Sequence, residues 1–111
     1  MTALAMTLPT AAGTSLAGLA QALAPWSAVV RGDASVCVTG VRQDSRRIEA
    51  GELFAARSGG RVAGADFAAA AVARGAAAVL AEPGAVPASV GVPVVEVSSV
   101  RHALGAAAEL V

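Results

Sequence analysis

The sequence predicts a single small α/β domain, with a mainly parallel sheet flanked by helices. Three observations carry that expectation. Short apolar runs suited to strands alternate with longer helical patterns along most of the chain. Leu53–Ala56, Ala65–Arg74 and Ala77–Leu80 read as strand, helix, strand, the connection that places two parallel strands in one sheet. A dense polar cluster, Arg42–Arg47, lies between two apolar runs, as a loop held by buried strands does. At 111 residues the chain is long enough for one core and too short for two.

Met1–Gly13 reads as a flexible N-terminal extension, and residues 14–111 as the domain. No Lys or Arg precedes Arg31, so the positive segment of a signal peptide is missing. Polar residues, Gly and Pro interrupt the early apolar run, which excludes a span of ~18 apolar residues. Thr14 or Ser15 can cap a helix in which Leu16, Leu19, Ala20 and Leu23 recur at helical spacing. Pro25 ends it, and Trp26 is expected to pack it onto the rest. Val29–Arg31 is a short strand, followed by a turn at Gly32-Asp33. Ser35–Val41, with Val36, Val38 and Val41, reads as one largely buried strand carrying Cys37 as a small core hydrophobe.

The polar stretch Thr39–Phe54 follows, closing through Glu49-Ala50-Gly51 into the strand Leu53–Ala56. Ser58-Gly59-Gly60-Arg61 leads to the Ala-rich helix Ala65–Arg74, with Phe67, Ala71 and Arg74 at i, i+4 and i+7. Asp66 and Arg74 suit the two ends of its dipole, and Gly75 is the expected left-handed cap. Ala76–Leu80 is the next strand, Glu82–Gly91 a loop with two prolines, and Val92–Val97 a further strand. Ser98 or Ser99 caps a last helix, Val100–Val111.

Hydrophobic residues make up 56% of the chain but aromatics only 3%, so small and branched side chains must build the core. An apolar surface for docking a further domain or for self-association is expected, and the high Ala and Val content leaves little charge to blunt it. Eight basic residues balance eight acidic ones, which argues against a nucleic-acid groove. One cysteine cannot form an internal disulfide, and no Cys/His cluster suggests zinc. A reduced, cytoplasmic setting with no nucleic-acid or membrane partner is expected. His102 has no evident Asp, Ser or Cys partner and reads as a surface or helix-packing residue.

Asp44-Ser45-Arg46-Arg47-Ile48-Glu49-Ala50-Gly51-Glu52-Leu53-Phe54-Ala55-Ala56 resembles the Asp-Ser-Arg-x-x-x-x-Gly-Asp-Leu-Phe-x-Ala signature of Mur ligase N-terminal domains. Gly59, Gly64, Phe67 and Arg74–Leu80 continue that family's spacing. Val92–Val97 and Arg101–Leu104 resemble its last strand and helix. The likeness covers roughly Ser35–Val111. It implies a domain that anchors the UDP end of a UDP-N-acetylmuramoyl-dipeptide. The whole ligase would add a third amino acid, meso-diaminopimelate or L-lysine, in peptidoglycan synthesis. ATP and Mg2+ would be bound by a central domain, and the incoming amino acid by a C-terminal domain. This chain has no Gly-x-x-x-x-Gly-Lys-[Ser/Thr] loop, so by itself it is expected to bind no cofactor and to catalyse nothing.

Helix–strand order and Leu23–Trp26 fit the ligase that adds the third residue. The ligase that adds D-alanyl-D-alanine, and a non-catalytic interaction domain of the same fold, are the alternatives. The residues implied to meet the UDP moiety are Gln43, Ser45, Arg46, Gly59, Gly60, Arg61 and Val62. Gly60 and Ala63 depart from the family pattern. From the residues alone, Asp44 and Ser45 suit either an Asx turn or the polar edge of a ligand. Ser58–Arg61 suits either a plain strand–helix turn or an anion cradle.

Overall fold

The computed structural model describes residues 13–56 and 64–110. Strand β1 (Thr14–Ser15) runs into helix α1 (Leu16–Ala22), a single-turn 3-10 helix (Ala24–Trp26) and strand β2 (Val29–Arg31). Two short strands follow, β3 (Cys37–Val38) and β4 (Val41–Arg42), then a 3-10 turn at Ser45–Arg47 and strand β5 (Leu53–Ala55). Helix α2 (Gly64–Ala73), strand β6 (Ala78–Ala81), strand β7 (Val94–Glu96) and helix α3 (Val100–Leu110) complete the order.

Five strands form one sheet in the order β2-β7-β6-β5-β4. The neighbours β4/β5, β5/β6 and β6/β7 are parallel, and β2 runs antiparallel along β7. The predicted α/β class and the β5–α2–β6 unit are therefore present. β1 and β3 pair separately as a two-stranded antiparallel ribbon.

The central strands are buried on both faces, which is why they read as unbroken apolar runs. Their alternation sorts two cores. Leu53, Ala55, Ala78, Leu80, Val95 and Val97 face a cluster with Leu16, Leu19 and Leu23 of the first helical segment and Val100, Ala103 and Ala107 of α3. Phe54, Ala56, Val79, Ala81 and Val94 face the opposite way, onto Ala68 and Ala71 of α2. A side-chain period of two in the strands thus produces a three-layer sandwich.

The termini of the elements follow ordinary capping chemistry. Ser15 Oγ accepts from Gly18 N at 3.1 Å and starts α1. Trp26 packs on the first core, as expected, and its carbonyl accepts from Ser98 N at 2.8 Å. At the end of α2, Gly75 N donates to Val72 O (2.9 Å) and Ala76 N to Ala71 O (3.0 Å), the paired bonds of a Schellman cap. Gly75 has φ +109°, and a Cβ there would sit 3.0 Å from Ala50 Cα.

Two expectations need correction. Ser35–Val41 is two strands, not one. The chain steps sideways at Thr39-Gly40, where Thr39 N donates to Gly51 O (3.0 Å) and Gly40 O accepts from Leu53 N (2.8 Å). Cys37 is exposed rather than packed, because the β1–β3 ribbon turns Val38 inward and its neighbour outward. Nor do the described residues carry an apolar patch of large side chains: among them only Val29 and Phe67 are large apolar side chains left exposed, and they lie on different elements.

At the antiparallel edge, Arg31 Nε lies 2.9 Å from Glu96 Oε1, and Glu96 is buried. The Arg31 hydrogen bond holds the Glu96 carboxyl below its ordinary value against the opposing effect of burial, with help from Gly84 N–H. A lowered folded-state pKa stabilises the fold above the ordinary glutamate value and stops doing so as pH falls through the lower one. Arg31→Met leaves a buried carboxylate without its cation, so acid loss of stability should begin at a higher pH than in the parent. Urea midpoints measured from pH 3 to 7 give the comparison. Gly75→Ala should cost roughly 1–3 kcal/mol in the same assay, since a side chain is strained at positive φ and also meets Ala50.

Candidate functional site

The loop from β4 to β5 is fixed at its base by one carboxylate. Glu52 is buried, and its Oε1 and Oε2 accept from Arg42 Nε at 3.1 and 3.2 Å. Oε1 also accepts from Glu49 N at 2.9 Å, which closes the turn just before β5. Gly40 leaves room for this group, since a Cβ there would lie 2.7 Å from Glu52 Oε2. Midway along the loop, Ile48 inserts into the second core beside Phe54 and Ala68. Polar clamp and apolar tether together hold residues 43–47 at the carboxyl ends of β4 and β5.

Within that segment Asp44 makes the turn. Its Oδ1 accepts from Arg46 N at 2.9 Å, capping the 3-10 helix Ser45–Arg47. The Arg46 guanidinium meets the same carboxylate in bidentate fashion, Nε to Oδ1 at 3.0 Å and Nη2 to Oδ2 at 2.9 Å. These bonds, the Arg46 side chain first and its N–H second, draw the Asp44 pKa down to about 2. Asp44 is thus the Asx-turn residue, and Arg46 rests on a carboxylate.

Ser45 behaves differently. It is 6% exposed, and among the described residues none is hydrogen-bonded to its hydroxyl. A buried hydroxyl normally finds a partner, because leaving it without one costs free energy. Ser45 lines a cleft of about 600 Å³ together with Gln43, Asp44 and Arg46. Phe54 and Ala56 lie deep in the core beneath, and Phe67 comes from the first turn of α2. The cleft sits beyond the carboxyl ends of parallel strands, where ligands of open α/β sheets are usually held.

Of the seven residues expected to meet a ligand, Gln43, Ser45 and Arg46 are brought together here. Gly59, Gly60, Arg61 and Val62 lie outside the described residues. Phe54, Ala56 and Phe67 were missed by the sequence reading. Phe67 had been grouped with Ala71 on one helix face. In the structure Ala68 and Ala71 are fully buried, whereas Phe67 is 46% exposed and borders the cleft.

Elsewhere, His102 does have a partner, contrary to expectation. Its Nδ1 lies 2.8 Å from Ser99 Oγ, which also accepts from His102 N at 3.3 Å. The contact caps α3 at i, i+3 spacing, and no carboxylate joins it to make a triad. No group of three or more metal-ligating side chains occurs among the described residues, and no described helix is long and apolar enough to cross a membrane.

The sequence contains no lysine at all, so these residues do not fit the phosphate loop that holds ATP in P-loop enzymes.

Comparison with known proteins adds the family. The chain is 45% identical over 83 residues to UDP-N-acetylmuramoyl-L-alanyl-D-glutamate–2,6-diaminopimelate ligase of Chelativorans sp., covering 75% of this chain and 17% of that protein. It is 49% identical over 71 residues to the ligase of the same name from Caulobacter vibrioides (64% and 14%). The corresponding protein of Streptomyces coelicolor is 40% identical over 94 residues (83% and 18%). The chain therefore spans less than a fifth of the length of these relatives.

A solved structure, UDP-N-acetylmuramoylalanyl-D-glutamyl-2,6-diaminopimelate–D-alanyl-D-alanyl ligase from Acinetobacter baumannii, superposes with a TM-score of 0.67 at 26% identity. That match covers 84% of this chain and 20% of the other. The two comparisons point to different ligases. The sequence likeness to the diaminopimelate ligases, 40–49%, is higher than that to the D-alanyl-D-alanyl ligase, 26%. The family model described as "Mur ligase family, catalytic domain" matches residues 37–111, which hold the β4–β5 clamp, the cleft and α3. This chain belongs to the Mur ligase family.

Proposed function

We propose that this chain is the substrate-anchoring domain of a cytoplasmic, ATP-dependent ligase of peptidoglycan synthesis, and that its cleft holds the uracil-nucleotide end of UDP-N-acetylmuramoyl-L-alanyl-D-glutamate. The observation that carries this reading is Ser45, a buried hydroxyl bonded to none of the described residues and facing an open cleft. A uracil edge offers one donor and two acceptors in a plane, and a serine hydroxyl can both give and accept. Gln43 and Arg46 border the same space. Gly59, Gly60, Arg61 and Val62, which precede α2 in the sequence, are the further residues proposed to meet the UDP moiety. The names of the relatives support diaminopimelate as the amino acid added. ATP, Mg2+ and that amino acid would be held by other domains of the whole enzyme.

Calorimetric titration of the chain with UDP, then with the UDP-muramoyl-dipeptide, should show saturable binding of both. No heat and no chemical-shift change with either would leave a non-catalytic interaction domain as the better reading. Ser45→Ala separates site from scaffold. Removing a hydroxyl that bonds to none of the described residues should leave stability unchanged or raise it by up to about 1 kcal/mol. The same change should weaken UDP binding by about 0.5–1.5 kcal/mol, the value of one neutral hydrogen bond. A variant that unfolds more readily and binds like the parent would show that Ser45 serves the turn alone.

A further inference from the structure

Helix α2 reads Gly-Ala-Asp-Phe-Ala-Ala-Ala-Ala-Val-Ala; among its described side chains Ala68 and Ala71 are buried against the sheet and Val72 packs partly buried on the same core. Its one large aromatic side chain is not used there. Phe67 is 46% exposed and borders the cleft that Ser45 lines from the opposite loop. Only three aromatic residues occur in the chain, and two of them, Phe54 and Phe67, touch this cleft. Phe54 is 2% exposed and locked in the core, so Phe67 alone has a ring face free for contact. The helix lies beside the Ser45–Arg47 turn, itself tied to the second core by Ile48, so the ring and the hydroxyl are held on a common frame.

We propose that Phe67 is the stacking platform for the planar base of the nucleotide, with Ser45 reading the base edge. This rests on the nucleotide reading of the cleft and deepens it. A flat ring beside a hydroxyl that lacks a partner is suited to a heteroaromatic base, which presents a π-face to one and a polar rim to the other. Stacking of a base on an aromatic side chain is tolerant of base identity, whereas the rim contact is not. The cleft would therefore divide its work, with affinity from Phe67 and choice of base from Ser45.

The test compares ligands with and without a base. UDP and ribose 5-diphosphate are titrated into the parent chain and into Phe67→Ala, Phe67→Leu and Phe67→Tyr. Stacking predicts that Phe67→Ala weakens UDP roughly 5- to 100-fold, the range for loss of one stacked base. Binding of ribose 5-diphosphate should change less than twofold. Phe67→Tyr should restore UDP binding, and Phe67→Leu, apolar but without a π-face, should not. Circular dichroism guards the comparison: α2 should persist in every variant, because alanine and leucine favour helices at least as well as phenylalanine. If the parent binds UDP and Phe67→Ala binds it equally well, Phe67 is a surface bystander and the stacking assignment is wrong. If Phe67→Ala weakens both ligands alike, the ring only shapes the cleft, which also overturns it. If the parent fails to bind UDP, the nucleotide reading itself falls, and stacking with it.

Discussion

The structure turns on the carboxylate of Glu52. It is buried, paired with Arg42 from the end of β4 and bonded to the backbone N–H of Glu49. A charge removed from water is tolerated only where such partners surround it. Here they come from both ends of the β4–β5 loop, so satisfying the charge and closing the loop are the same event. Gly40 is required by it as well, because any side chain there would collide with the carboxylate. The parallel pairing of β4 with β5, the step that separates β3 from β4, and the position of the cleft all follow from this arrangement. Losing Arg42 would therefore do more than remove an ion pair. It would leave a buried anion and release the floor of the site.

Above that clamp, two adjacent residues divide structure from function. Asp44 spends both oxygens on Arg46 and on the turn, and its low pKa keeps it charged across the physiological range. Ser45 spends nothing on any described neighbour, although it is the more buried of the two. An Asp-Ser-Arg run therefore contains, in sequence order, a strut, a hydroxyl that lines the cleft and a counter-charge. Arg46 is not an idle cation at the mouth of the cleft. To meet a phosphate it must leave, or share, the Asp44 carboxylate.

Much of the fold was legible because its signals are local. The serine cap of α1, Pro25, the Gly75 cap and the apolar runs at β5, β6 and β7 each depend on neighbours within a few residues. What escaped depends on distance. The step at Thr39-Gly40 is fixed by hydrogen bonds with Gly51 and Leu53, twelve and thirteen positions onward, so Ser35–Val41 looked continuous. Cys37 turned outward because β3 pairs with β1, a partnership no periodicity announces. Phe67 was grouped with Ala71 by spacing alone, because Ala68 and Ala71, which α2 buries, look like every other alanine of that helix. The Ser99–His102 contact, at a spacing of three, was open to view and was missed. Gln43, Ser45 and Arg46 could be chosen from the motif, but that Ser45 lacks a partner is a statement about burial, which no motif contains.

The two faces of the sheet are not equally massive. One is loaded with Leu16, Leu19, Leu23, Leu53 and Leu80. The other, under α2, holds no leucine: Ile48, Phe54, Val79, Val86 and Val94 share it with five alanines, and α2 itself buries only Ala68 and Ala71 there among its described side chains. Apolar area sets the free energy that resists local opening, at roughly 25 cal/mol per Å². The helix that walls the cleft is therefore the more loosely fastened of the two layers, and its amides should exchange with deuterium before those of α3. The small side chains by which α2 meets the sheet thus give that layer a weaker hold than the leucines and valines give the other.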